Sequence, residues 1–261
     1  MTISDDEVLE TDSGRTRAPA VARAAAVLRA LARERSGLGV TEIARRVDLI
    51  ASTCFHVLKA LVAEGFVTFD PEKKTYRAGV GLLTLARDAI SNSEFPTIVQ
   101  PSLDRLAQEL RATAVAATLT SRERMVVVAL SRSDSMVSLH VDVGIRFPSF
   151  ISATGRCVAA VCDLSKEDLR ARFERLRWER PPKFEDWYSE VQRAKSEGIG
   201  LDRGNLFRGV TVVATLIPSA VGGATRGVAV MGFEHHMTEK LIGQARDALL
   251  SAAQVTAAQL H

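Results

Sequence analysis

Apolar residues return every three or four positions between residues 40 and 64, and the pattern breaks once, at Asp48–Ala51. Ile43 and Val47 mark the first run, with Leu49 just beyond it, and Cys54, Val57, Leu58, Leu61 and Val62 mark the second. Such spacing puts each set on one face of a helix. So few residues lie between the runs that only a tight corner can join them. The pattern predicts helices over Val40–Val47 and Ser52–Glu64. Thr41 opens the first helix, and Ser52 and Thr53 open the second. Hydroxyls there can accept from orphan N–H groups of a helix start or donate to phosphate oxygens. Upstream, Pro19 suits a first helical turn. Val21, Ala24, Ala25, Leu28, Leu31 and Ala32 then form a stripe that leaves Arg23, Arg29 and Arg33 off it, with a stop near Gly37. Downstream, Phe66–Phe69 alternates like a strand, Asp70–Lys74 reads as a turn, and Thr75–Arg77 returns. Three helices followed by a two-stranded ribbon is the order of a winged helix.

The second helix of the pair carries the chemistry. With Cys54, Val57, Leu58 and Leu61 inward, Ser52, Thr53, Phe55, His56 and Lys59 face outward. On a recognition helix, Ser, Thr and His can hydrogen-bond base edges, Lys59 can reach guanine or phosphate, and Phe55 can touch a thymine methyl. The ribbon tip bears Lys73 and Lys74, with Arg77 on the return strand, where a basic wing can follow the backbone.

Beyond Gly81 the alternation changes. Leu82, Leu83, Leu85, Ala86, Ala89 and Ile90 form a short linker helix with an apolar face, fit for a dimer contact. A longer helix follows around Leu103, Leu106 and Leu110, with Pro101 near the start of its main part. Strand-length apolar runs come next at Ala114–Leu119, Met125–Leu130 and Val137–Val143. Helices are predicted from Ala153 through Cys162, from Leu164 to about Leu176, and over Asp186–Glu197. Gly200–Gly209 reads as a glycine-rich loop. Val210–Pro218 and Gly227–Gly232 are strands joined by a Gly222-Gly223 turn, and Thr238 caps a C-terminal helix. The fold class is α+β: a winged helix, then an antiparallel sheet flanked by helices.

Charge sharpens the first half of this reading. The chain of 261 residues carries a net +3. Residues 15–80 hold 12 Lys and Arg against 6 Asp and Glu, a local excess of +6, while residues 1–14 carry −5. Positive charge concentrated around the helix pair is the footprint expected for a phosphate-backbone partner. The acidic N-terminus is the opposite of a signal peptide, and no apolar run has the length of a membrane span. Three cysteines, Cys54, Cys157 and Cys162, lack metal-site spacing and suit a reducing cytoplasm.

Four stretches together resemble the IclR family of bacterial transcriptional regulators. They are VTEIARRVDLIASTCFHVLKALVAEGFV, FDPEKKTYRAGVGLLTLA, ISATGRCVAAV, and EGIGLDRGNLFRGVTVVATLI with GVAVMGF. The resemblance runs from about Pro19 to Gln259. Residues 1–18, acidic and without periodicity, read as a disordered tail, and the resemblance implies a winged-helix DNA-binding domain over 19–80, a linker helix over 81–92 and a GAF-like effector-binding domain over 93–261. It implies a homodimer or dimer of dimers on a near-palindromic operator, a small-molecule effector and no cofactor. Arg23, Thr41, Ser52, Thr53, Phe55, His56, Lys59, Lys73, Lys74 and Arg77 are the expected DNA contacts. Thr154, Gly155, Asp202, Val212, Ala229 and Met231 match the family's effector positions. Some carboxylate-binding members carry Cys and Ser where this chain has Val212, Ala229 and Met231. Such a lining fits an aromatic or apolar carboxylic acid better than glyoxylate or pyruvate, because a buried polar ligand needs polar partners.

Other readings of the second half weigh less. His140, Asp142 and His235 could be imagined around a metal, but no HExxH, CxxC or GxSxG motif supports an enzyme. A Cys157–Cys162 redox switch and a winged helix used only for protein docking are the remaining alternatives.

Overall fold

Three helices and a ribbon close around one small core in the N-terminal part of the chain. The structure is a computed structural model that describes residues 18–32, 34, 36–91, 93–120, 123–133, 139, 141–218 and 225–260. The chain divides into two compact units, Met1–Asn92 and Ser93–His261. The acidic segment over 1–17 lies outside the described residues.

In the first unit, α1 (Pro19–Ala32), α2 (Val40–Arg46) and α3 (Ala51–Ala63) precede β1 (Val67–Asp70) and β2 (Thr75–Ala78), and α4 (Gly81–Ser91) ends it. Val27 and Leu31 of α1, Ile43 of α2, and Cys54, Leu58 and Leu61 of α3 meet in one cluster with Val67 and Tyr76. Leu31, Ile43, Cys54, Leu58 and Leu61 are stripe residues of the sequence pattern; Val27 was not expected there, and Val21 and Ala32, expected on the stripe of α1, are exposed. The α2–α3 corner turns through Asp48, whose backbone is left-handed at φ 52°. β1 and β2 pair antiparallel from Val67 opposite Ala78 to Asp70 opposite Thr75. Leu38 adds an isolated bridge to Tyr76 on the ribbon's far side, which ties the wing to the helical core.

The second unit runs α5 (Glu94–Leu110), β3 (Thr113–Leu119), β4 (Arg124–Arg132), β5 (Arg146–Pro148), α6 (Ser152–Val161), α7 (Lys166–Glu174), α8 (Phe184–Glu197), β6 (Gly200–Arg203), β7 (Val210–Ile217), β8 (Arg226–Phe233) and α9 (Glu239–Gln259). Its six strands form one antiparallel sheet in the order β5-β4-β3-β8-β7-β6. Strand alternation then decides what each face meets. Ala114, Ala116, Val213, Val228 and Val230 pack under Leu103 and Leu106 of α5 and Ala245 and Leu249 of α9. Val115, Val127, Val212 and Ala229 point to the other face, together with Ala153 of α6. α6, α7 and α8 build a further cluster there around Trp187 and Phe173.

Three expectations change. Pro101 lies inside α5 rather than near its start, because the helix begins seven residues earlier, at Glu94. Gly200–Arg203 is a strand and not part of a loop: it pairs with Thr211–Ala214, and Leu201 turns toward the α5–α9 core. Of the strand expected over Val137–Val143, residues 137, 138 and 140 lie outside the described residues, and 139 and 141–143 are not in strand. The pairing partner of β4 on that side is β5 instead. The Gly222-Gly223 turn also lies outside the described residues.

Candidate functional site

The outward face of α3 is built by the burial of its inner face. Cys54, Leu58 and Leu61 are buried, and Ser52, Phe55, His56 and Lys59 are exposed. Thr53 is only half-buried at the edge. Phe55, 47% exposed, sets its ring edge-on to His56 at 6.1 Å between centroids. α3 begins at Ala51 and α2 at Val40, one residue earlier than Ser52 and Thr41, and neither helix has a side-chain cap. The first-turn N–H groups of α3 are therefore left to solvent or to a phosphate. Thr41 is exposed on α2, and Arg23 on α1.

The wing presents Lys73 and Lys74 at an exposed turn, with Lys74 in the left-handed region at φ 52°. Asp70 Oδ1 accepts from the Glu72 and Lys73 N–H groups and shapes that turn. Arg77 is partly committed to the fold: its guanidinium donates to the Ser36 carbonyl and packs on Gly37.

Two of the basic residues of this segment, Arg45 and Arg46, are engaged in exposed ion pairs with acids already counted in the local excess. Glu42 accepts from Arg45 at 2.8 Å and from Arg46 at 2.7 Å, and Arg46 also reaches Glu34. The Arg45 and then the Arg46 guanidinium hold the Glu42 carboxyl well below its ordinary 4.5, at about 2. A depressed carboxyl stabilises the fold above its unfolded value and loses that contribution as pH falls through its folded one. The melting-temperature gap between the native chain and Glu42→Gln is expected to shrink as pH falls from 4.5 toward 2. A gap that stays constant over that range would show that the pairing has no effect on stability.

In the second unit, Val212, Ala229 and Met231 share one face of the sheet with Val115 and Val127, and Ala153 of α6, Phe147 and Phe207 pack against them. Thr113, opposite Met231, and Arg132, opposite Thr113, continue the same face of the sheet with polar groups. Thr154 is buried and sits toward Gly227. Gly155 is fixed by close packing: a Cβ there would lie 2.0 Å from the Phe150 carbonyl carbon, so no other residue fits. α6 also starts without a side-chain cap, at Ile151. The first N–H groups of α6 thus have no side-chain cap and no intrahelical partner, and the Ala153 side chain packs in the apolar cluster.

Asp202 is 1% exposed. Its Oδ1 accepts from the Asn205 N–H and holds the loop after β6. Its Oδ2 lies 3.6 Å from Arg156 Nη1. Arg156, fully buried, was not expected as a site residue. It donates to Glu190 at 2.6 Å, to the Ser152 carbonyl at 2.9 Å and to Asn205 Oδ1 at 3.0 Å. One guanidinium thus links α6, α8 and the loop that carries Phe207. Its sequence signal was faint: it is the one charge in an otherwise uncharged run from Phe147 to Cys162.

The residues imagined around a metal are otherwise engaged. Asp142 pairs with Arg132 at 3.1 Å, and His235 stacks on Phe233. His140 lies outside the described residues. Among the described residues, no three His, Cys, Asp or Glu side chains converge for an ion. Cys157 gives its thiol hydrogen to the Ala214 carbonyl, and burial pushes that thiol up to about 12.

Comparison with known proteins covers both units. Residues 20–71 match the IclR helix-turn-helix domain family, and residues 87–258 match the family described as bacterial transcriptional regulator IclR C-terminal. The chain is 25% identical over 209 residues to the Pca regulon regulatory protein of Pseudomonas putida, covering 77% of this chain and 70% of that protein. It resembles the crystal structure of an IclR transcriptional regulator from Alicyclobacillus acidocaldarius with a TM-score of 0.82 and 25% identity, over 93% of this chain and 99% of the other. An IclR homologue from Microbacterium hydrocarbonoxydans, crystallised with 4-hydroxybenzoate, shares the fold with a TM-score of 0.74 and 19% identity, over 92% of this chain and 100% of the other.

Proposed function

The chain belongs to the IclR family of bacterial transcriptional regulators, and from that premise we propose how its residues divide the work. It is a DNA-binding regulator. α3 enters the major groove, where Ser52, Thr53, Phe55, His56 and Lys59 meet base edges. Thr41, Arg23, Lys73, Lys74 and Arg77 hold phosphates on either side. Two copies act together, each on one half of a near-palindromic operator, in the cytoplasm where the DNA lies. The exposed Val80, Leu83 and Leu85 around α4 support a homodimer contact, because apolar side chains of that size rarely stand unpartnered in a row. No helix among the described residues is long and apolar enough to cross a membrane.

The second unit receives an effector and performs no catalysis. The observation that carries this reading is the apolar patch of Val115, Val127, Val212, Ala229 and Met231 beside the uncapped start of α6. An aromatic ring suits the patch, and a carboxylate suits the free N–H groups of a helix start. Thr154 and Gly155 shape that start, and Asp202 holds the loop that carries Phe207. The homologue crystallised with 4-hydroxybenzoate supports the same ligand class. Effector binding then shifts the population of DNA-competent dimers, in either direction.

Thermal melting of the full chain with 4-hydroxybenzoate and with glyoxylate tests the ligand class. A ligand at 100 times its Kd stabilises by about 2.7 kcal/mol. The aromatic acid is expected to raise the melting temperature and change duplex affinity, and Ala229→Phe is expected to abolish both effects by filling the patch. A shift with glyoxylate and none with the aromatic acid would overturn it.

A further inference from the structure

We infer that Ile50 and Phe55 form a two-point reader of thymine 5-methyl groups, so that the duplex this protein selects carries thymines beneath the start of α3. The inference rests on α3 being the reading helix. Ile50 was not among the contacts expected from the sequence. It stands at the N-cap of α3 and is 71% exposed, the most exposed large apolar side chain of the helix pair. Phe55 follows five residues later, about 1.4 turns on and so about 140° further round the helix, and neither side chain belongs to the core of its unit.

Both are held on rigid backbone rather than on a loose loop. The Ile50 carbonyl accepts from the Cys54 N–H at 3.0 Å, and the preceding turn is closed by the Leu49 N–H donating to the Ala44 carbonyl at 2.9 Å. Ile is β-branched and stiff at χ1, and Phe has few rotamers, so little order is lost when either is covered. Neither side chain can donate or accept a hydrogen bond. The thymine methyl is the apolar feature of the major groove that such groups can recognise. Their neighbours Ser52, His56 and Lys59 are exposed and suited to base edges and phosphate. A cationic and hydroxylic surround is what a nucleic-acid surface complements and what an apolar protein partner does not. Five residues of helix rise about 7.5 Å, the length of about two base-pair steps. One thymine therefore cannot satisfy both side chains.

The test uses the full chain and a duplex enriched by that chain from a random library. Each thymine in the bound half-sites is replaced in turn by deoxyuridine, which deletes the methyl and keeps every hydrogen-bonding edge and phosphate. At two positions the substitution is expected to weaken binding about fourfold each, the effect of one methyl-sized group buried. Ile50→Ala should erase the thymine preference at one position and Phe55→Ala at the other, with melting temperature unchanged because both side chains are exposed. Lys59→Ala should weaken thymine and uracil duplexes alike. The inference is overturned if uracil has no effect anywhere in the half-site, if the selected half-site contains no thymine, or if both variants keep the full preference. It is also overturned if the variants change the sedimenting mass of the free protein, since the surface would then serve self-association. In any of these cases a Lys59→Ala loss of affinity leaves α3 as the reading helix, whereas no loss removes that reading as well.

Discussion

Replacing Arg156 by Met is expected to destabilise the second unit by about 3–5 kcal/mol, the range for breaking a buried charge pair by removing one partner. The loss comes from what stays behind. Asp202 is 1% exposed, and its Oδ2 has no hydrogen-bond partner; Arg156 at 3.6 Å is its countercharge. Without the guanidinium, a buried carboxylate must stay charged and unpaired or take up a proton. Asn205 and the Ser152 carbonyl each lose a donor as well. Adding Asp202→Asn to Arg156→Met should recover part of the loss, since the remaining group is then neutral. Urea unfolding followed by tryptophan fluorescence measures this unit directly, because both tryptophans, Trp178 and Trp187, lie within it. A change below about 1 kcal/mol would place the pair among ordinary surface contacts.

The second large effect concerns DNA selection. Converting both His56 and Lys59 to Ala is expected to remove most of the chain's preference for its own site while leaving general duplex binding in place. Base contacts specify and phosphate contacts position, and each good base contact discriminates by about 1–3 kcal/mol. Two lost contacts in each of two half-sites exceed a hundredfold even at the lower figure. Both side chains are exposed, and no core residue depends on them. The double variant should therefore melt like the native chain, which separates lost reading from lost folding. General affinity survives because Lys73 and Lys74 on the wing remain.

The sequence pattern reached some of this and not the rest, for identifiable reasons. The stripe of Cys54, Leu58 and Leu61 was legible because burial on a helix imposes a period that composition cannot imitate. α6, α8 and α9 were visible in the same way, although α8 begins at Phe184, two residues before the expected Asp186. β6 was not legible. Gly200 and Asp202 are poor strand formers, and pairing with β7 overrides that preference. Pro101 inside α5 was obscured because proline ordinarily marks a helix start. Arg156 was missed because a charged residue reads as exposed in one dimension. Its burial depends on Glu190, Asp202 and Asn205, which lie 34 to 49 residues away in sequence. The charge excess around the helix pair was legible as a sum but not as a surface, since Arg45 and Arg46 share the Glu42 carboxylate. At the apolar patch, the identity of Val212, Ala229 and Met231 was legible, and their convergence with Val115, Val127 and Phe207 needed the sheet order β4-β3-β8-β7.

The central claim is that α3 supplies sequence preference, and one competition titration tests it most directly. The full chain and its His56→Ala/Lys59→Ala form are each bound to a duplex selected by the native protein, against a scrambled duplex of the same composition, at one fixed salt concentration. The account predicts a large preference for the selected duplex in the native chain and a preference at least about a hundredfold smaller in the double variant, with affinity for the scrambled duplex within a few-fold of native. A double variant that keeps the native preference would contradict it and would move sequence reading away from α3.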